Sequence, residues 1–368
     1  MWDKVGPRNW RRPLLLRPDN FTPPARTPWG GDRIAGTLKA DAGLEVGGRV
    51  GEAWELSVEP DFPSRLVDGP TLDEVLRADP ALLGVEAALR STALLVKLVD
   101  AADDLSVQIH PTDGDPHLAA DESGKPELWY IIAADPAGGA LAGERYTTRA
   151  GLYLGFRDGV SRRDVEAAID DEGEVDALMS FVPVSPGDLF LIEPGTPHAI
   201  GRGVLLLEPQ RVSPGKRGIT YRYWDWSRRY DTAGQLDPAG EPRELHRQRA
   251  LDVTDWEGLR GDALVDRIRH RAGPAPIDGS AKLDVLVSPG GPLHSEVFSL
   301  QRLAGSGALE LPASDRLRSL TVLDGRLVLR DGESILELAR GQTAALPACL
   351  GPLQVHLDGA HAMLCCLT

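Results

Sequence analysis

Short runs in which apolar and polar side chains alternate recur along this chain between turn-forming residues, and a two-residue period marks strands with one buried face. Leu105 to Pro111 is one such run, with Ser106, Gln108 and His110 on one face of the predicted strand and Val107 and Ile109 on the other. Lys125 to Ile132 is a second, β-branched and aromatic, and it places Lys125 and Glu127 on a common face. A third, Leu189 to Ile192, is entered from a Pro186-Gly187-Asp188 turn, and a second turn, Pro194 to Pro197, then presents His198. In the last third, Leu317 to Leu329, Ile335 to Leu338 and Gly341 to Pro347 predict short strands joined by Asp-Gly and Gly turns.

A helical period is confined to two regions. Leu72 to Leu83, continued by Val85 to Leu89, predicts one helical stretch with Thr71 as its N-cap, and Ser161 to Met179 predicts a small helical insertion. Because 40 Gly and 29 Pro punctuate the rest, the expected fold class is mainly β, of the barrel or sandwich kind. A chain of 368 residues can bury one large core and a smaller one. The expected division is a metal-binding domain over 1–240 with the helical insertion at about 160–180, a connecting segment over 241–275, and a β domain over 276–368 without metal ligands. The charged stretch Glu241 to Arg249 and the patch Gly273 to Pro276 mark the connection.

Composition narrows the partners. A formal charge of -15 excludes nucleic acid and anionic membrane surfaces, while leaving room for a local cationic pocket that takes a phosphorylated small molecule. The cysteines, Cys349, Cys365 and Cys366, cluster near the C-terminus and make no disulfide framework. The basic stretch from Met1 to Pro13 has no apolar core of a leader, and no run of about 18 apolar residues occurs. A soluble, cytoplasmic monomer is expected.

Gln108, His110, Glu127 and His198 are the candidate metal ligands, each held by a strand or a tight turn. Two imidazoles, a carboxylate and an amide oxygen suit a borderline cation such as Zn²⁺, one per chain, with water or substrate completing an open site. His117, His246, His270, His294, His356 and His361 have no such surroundings and are expected on the surface or in structural roles.

Four segments, Gly51 to Ser57, Leu105 to Pro111, Gly124 to Tyr130 and Pro194 to Ile200, followed by Leu207 to Gln210, Thr220 to Trp226 and Pro242 to His246, resemble the ordered motifs of type I mannose-6-phosphate isomerases in their short bacterial form. The likeness covers roughly Pro13 to Asp255, and the remainder only by architecture. It implies two cupin-like jelly-roll domains, zinc held by Gln108, His110, Glu127 and His198, Arg222 as the active-site arginine, and Lys125 and Lys97 facing a sugar phosphate. It also implies that the helical insertion helps wall the cleft. Departures are the longer stretch Arg211 to Ile219, where Arg217 is placed to replace or assist Arg222, and Pro197 and Pro209, which restrict the backbone near the site.

Such an enzyme interconverts an aldose and a ketose, mannose 6-phosphate and fructose 6-phosphate, through an enediol. Zinc and Arg222 would stabilise charge on the sugar oxygens. Glu193, Lys125 and a zinc-bound water stay open as the base. Ser106, Lys97, Arg222 and Arg217 are the candidate phosphate contacts. Two other readings remain: a metal-dependent isomerase or epimerase of another sugar or sugar phosphate, and a cupin that binds a sugar phosphate without turning it over.

Overall fold

Alternation along Leu128 to Ile131 sets the layering of the molecule: Trp129 and Ile131 enter a core between two sheets, while Leu128 and Tyr130 enter a second core shared with the C-terminal domain. The computed structural model describes residues 9–42, 48–135, 149–170, 173–332 and 334–368; residues 1–8 of the basic N-terminal stretch lie outside the described residues.

The strands that build the molecule are β1 (Leu14–Leu15), β2 (Glu52–Leu56), β3 (Leu94–Asp100), β4 (Val107–Ile109), β5 (Glu127–Ala134), β6 (Gly151–Phe156), β7 (Met179–Pro183), β8 (Asp188–Ile192), β9 (His198–Ile200), β10 (Val204–Arg211), β11 (Tyr221–Trp224) and β12 (Arg269–Arg271). A five-stranded sheet runs β11-β4-β9-β6-β7, and a six-stranded sheet runs β12-β8-β5-β10-β3-β2. Leu152, Leu154, Val182 and Ile200 from the first meet Trp129, Phe190, Ile192 and Leu206 from the second, which makes a β-sandwich of the cupin kind. On the outer face of the five-stranded sheet, Val107 and Ile109 pack with Val165 and Ile169 of helix α2 (Arg162–Asp170) and with Ala250 and Leu251 of helix α3 (Arg247–Val253).

The predicted helix after Thr71 is shorter than expected. Helix α1 spans Leu72–Ala78 and opens with a full capping box between Thr71 and Glu74, but it ends before Pro80, which disfavours a helical conformation at Asp79. Two 3₁₀ turns, Pro80–Leu83 and Ala87–Leu89, follow in place of one continuous helix. The segment 241–275, expected as a connection, carries α3, helix α4 (Gly261–Ile268) and β12. α3 packs on β11, α4 packs on β6 and β8, and β12 extends the six-stranded sheet, so this segment is built into the first sandwich.

The C-terminal strands are β13 (Lys282–Ser288), β14 (Leu293–His294), β15 (Phe298–Leu311), β16 (Arg318–Asp331), β17 (Ser334–Ala339), β18 (Thr343–Leu346) and β19 (Leu353–Leu367). Their sheet runs β1-β18-β16-β19-β15-β13-β14, with β17 on β16. Asp324-Gly325, expected as a hairpin turn, is instead a bulge inside β16, where the register against β19 shifts. Gly325 has φ +66°, and a Cβ there would come within 2.2 Å of the Gly359 carbonyl oxygen, so only glycine fits.

The two halves are joined through buried groups. β1, from the N-terminal region, is an edge strand of the C-terminal sheet, with Leu14 opposite Ala345. Lys39, fully buried, lies 2.7 Å from Glu55 and donates to the Gly341 carbonyl, while Glu55 accepts from the Thr343 hydroxyl. Among the described residues, no helix is long and apolar enough to cross a membrane.

Candidate metal centre and catalytic cleft

β4 is the pivot of the site. Gln108 is the direct strand partner of His198 on one side and of Arg222 on the other, so three functional side chains lie abreast across β9, β4 and β11. The facing sheet supplies Glu127 from β5, opposite Gln210 of β10, and Lys97 from β3, opposite both Glu208 of β10 and Trp54 of β2. The strand register of the two sheets therefore assembles the site from segments far apart in sequence.

His110, Glu127 and His198 are buried, and their ligand atoms all lie within 4.8 Å of one another. Each imidazole is oriented by its Nδ1–H, which donates to the Ile219 carbonyl from His110 (2.9 Å) and to the Thr196 carbonyl from His198 (2.8 Å). That leaves both Nε2 atoms for a cation. His110 Nε2 is buried without a hydrogen-bond partner, 3.0 Å from Glu127 Oε1, as an atom awaiting a Lewis acid would be. The Gln108 amide nitrogen sits 3.4 Å from His198 Nε2, so the end of this side chain reaches the same point.

Burial, then the neighbouring Lys125 ammonium, depresses the proton affinity of His110; burial and then His110 depress that of His198 to about 3. Burial pushes the Glu127 carboxyl up, but His110 and Lys125, the latter 3.2 Å away, outweigh it and hold the group well below the usual carboxylate range. Neutral imidazoles beside an ionised carboxylate are the protonation states that bind metal, so the residues fit a divalent ion. Gln210 Nε2 (2.7 Å) and Trp129 Nε1 (3.1 Å) hold the two oxygens of Glu127 in place.

A cavity of about 310 Å³ opens over this cluster, with Gln108 and Glu127 in its wall. Lys97, Lys125, Ser106 and Arg222, put forward from the sequence, also line it. Arg222 donates from Nε to Ser106 Oγ (3.0 Å) and from Nη1 to the Glu244 carbonyl (2.8 Å), and it makes no ion pair among the described residues. The other two expected residues lie elsewhere. Alternation along β8 carries Ile192 inward and Glu193 outward, where Glu193 is exposed, 3.8 Å from Arg267, and borders a separate cavity beside α4. Arg217 is half exposed and paired with Asp121 at 2.5 Å, while its neighbour Gly218 faces the cleft. α2 contributes no wall to this cavity.

Sequence reasoning missed Glu208, a buried carboxylate in the cavity wall 3.7 Å from Lys97 and bonded by Trp129 Nε1 at 2.9 Å. Burial and then the Glu127 charge push its proton affinity up to about 8. A single acid directly after the apolar run Val204 to Leu207, on the same strand, was the available signal. Glu52, Trp54 and Arg243 were missed as well.

Residues 25–136 match the family model described as the catalytic domain of type I phosphomannose isomerase. The mannose-6-phosphate isomerase ManA of Bacillus subtilis is 29% identical over 89% of this chain and 92% of its own length. A mannose-6-phosphate isomerase of Streptococcus mutans is 33% identical over 61% of this chain and 63% of its own length. Among solved structures, the mannose 6-phosphate isomerase from Bacillus subtilis superimposes with a TM-score of 0.72 at 23% identity, covering 96% of this chain and 99% of that one.

Proposed function

We propose that this chain, whose residues 25–136 match the catalytic-domain model of type I phosphomannose isomerase, is a member of that family and interconverts mannose 6-phosphate and fructose 6-phosphate in the cleft above His110, Glu127 and His198. The observation that carries the proposal is the convergence of a three-residue ligand cluster and a cation-lined cavity at one point, with both histidine tautomers set for metal.

Gln108, His110, Glu127 and His198 would hold one Zn²⁺, whose nitrogen and oxygen donor preferences this set matches. When bound, the ion supplies Lewis-acid polarisation of the sugar's O1 and O2. The chain's own residues account for the rest. Arg222, which makes no ion pair among the described residues, supplies fixed positive charge in the cleft. Glu208 is the group we assign to carry the carbon-bound proton: it leaves C2 of the open-chain aldose and returns to C1, while the hydroxyl proton of O2 passes to O1, through an enediol. Lys97, between Glu52 and Glu208 at 3.8 and 3.7 Å, holds that carboxylate in the wall, and Lys125 does the same for Glu127. Trp54, below the Lys97 ammonium at 4.4 Å, walls the cleft on that side.

The test is a coupled assay of zinc-loaded protein with mannose 6-phosphate, beside a chelated sample and other sugar phosphates. Turnover that disappears with chelator and returns with zinc supports the reading. A protein that holds metal and turns over no sugar phosphate is a binding-only cupin instead.

A further inference from the structure

The guanidinium of Arg222 is seated by two acceptors from other parts of the chain: its Nε donates to Ser106 Oγ at 3.0 Å, and its Nη1 donates to the Glu244 carbonyl at 2.8 Å. Both acceptors sit on segments tied to one carboxylate. That carboxylate is Asp225, which stands just past the end of β11 and is 4% exposed.

On the Glu244 side the tie is Arg243, whose Nε and Nη2 reach the two oxygens of Asp225 at 2.8 and 3.1 Å, a fork that fixes a guanidinium in plane as well as in distance. Glu244 is the next residue, so the pair also fixes the carbonyl that Arg222 uses. On the Ser106 side the tie is Arg228, whose Nη2 bonds Asp225 and the Asp104 carbonyl, both at 2.8 Å, and whose Nη1 lies 3.0 Å from Asp103. Trp226 Nε1 bonds the following carbonyl, that of Leu105, at 2.9 Å. Between these anchors Trp226 and Ser227 take φ of +58° and +51°, a left-handed backbone that residues other than glycine rarely adopt and that persists only where the surroundings hold it.

We propose that Asp225 is a positioning residue of the cleft: by gripping Arg243 and Arg228 together it fixes the two acceptors, Ser106 and Glu244, that aim the Arg222 guanidinium. Asp225 is not itself in the cavity wall, so its effect on turnover passes through Arg222. The proposal rests on the isomerase reading above. A fixed charge stabilises a developing oxyanion only when correctly aimed, and misplacement by about 1 Å can cost on the order of a hundredfold in rate.

The experiment follows Arg222 itself as well as turnover. In protein carrying isotope-labelled arginine, the Arg222 Nε–H resonance is assigned by its loss in R222K, and its exchange with water is compared between the zinc-loaded parent and D225N. Values of kcat and KM for mannose 6-phosphate are measured for the parent, D225N, R222K and the double variant, with zinc content and melting temperature as controls. In D225N the Arg222 Nε–H is expected to exchange at least about tenfold faster and kcat to fall roughly ten- to hundredfold, with zinc retained. In the R222K background the same change is expected to cost less than about threefold, because residues that act as a unit are not additive. R243K, which keeps the charge without the fork, should give a smaller loss of the same kind, and it carries the test if D225N loses its cooperative melt. A folded D225N with parent-like exchange and kcat overturns the proposal. So does a loss of full size in the R222K background, which is what a purely structural role gives. A parent that turns over no hexose phosphate while D225N unprotects Arg222 overturns the isomerase reading and leaves the positioning role standing; turnover in the parent with Arg222 indifferent to Asp225 does the reverse.

Discussion

Gln108 and His198 are direct partners across two antiparallel strands, and their side-chain nitrogens lie 3.4 Å apart. An amide wedged against a candidate ligand at that distance either shares the cation or only packs beside it. Gln108→Ala is expected to lower zinc affinity at least about tenfold, measured by competition with a chromogenic chelator. Unchanged affinity would reduce the ligand set to His110, Glu127 and His198.

Glu208→Gln keeps the shape and the Trp129 contact of the buried acid but cannot take up a proton. The expected result is a fall in kcat of roughly 10² to 10⁴, with zinc content retained and KM close to that of the parent. If kcat persists, Lys125 becomes the proton carrier.

Lys39→Met strands the Glu55 carboxylate in the shared core of the two halves. Breaking one partner of a buried pair costs about 3 to 5 kcal/mol, which urea denaturation would register. Lys39→Met with Glu55→Leu should regain most of that loss, because the uncompensated charge is gone. A single variant within about 1 kcal/mol of the parent would mean that water or Thr343 already satisfies Glu55.

His361 links stability to pH. Burial first, and then the Arg302 charge, lower its proton affinity to about 4, against Asp324, and the Tyr130 hydroxyl lies 3.1 Å from its Nε2. The unfolded chain takes up a proton near pH 6.5 that the folded one refuses until about pH 4. Stability therefore falls as pH drops through that window, by up to about 3 kcal/mol, and changes no further from this group below it. Urea denaturation at pH 7, 6 and 5 should show a shallower acid loss in His361→Gln than in the parent. Equal slopes would assign the loss to carboxylates.

What was legible in the sequence was local. The alternation that places Gln108 beside Ser106, and Glu127 beside Lys125, depends only on the pleat of one strand, and the Thr71 capping box is complete within four residues. What was not legible depends on pairing. Glu208 reaches Lys97 through the register of β10 on β3, and Arg243 reaches the cleft from a segment whose few apolar positions, such as Ala250 and Leu251, are too sparse to announce a helix. Asp324-Gly325 is a strong turn signal that fifteen-residue β19 overrides by pairing straight through it. Glu193 and Arg217 were placed by proximity in sequence to site residues, and one step of strand alternation, or one neighbour, turned each of them away.

The pairing of Leu14 with Ala345 also sets an order of events during synthesis. β1 is synthesised well before its partner β18. Until then, the edge of the C-terminal sheet does not exist, and neither does the Thr343 and Gly341 end of the Lys39 network. The metal-binding half must therefore wait, incompletely locked, until β18 emerges, and a nascent chain stalled before it would leave β1 unpaired and open to capture by chaperones.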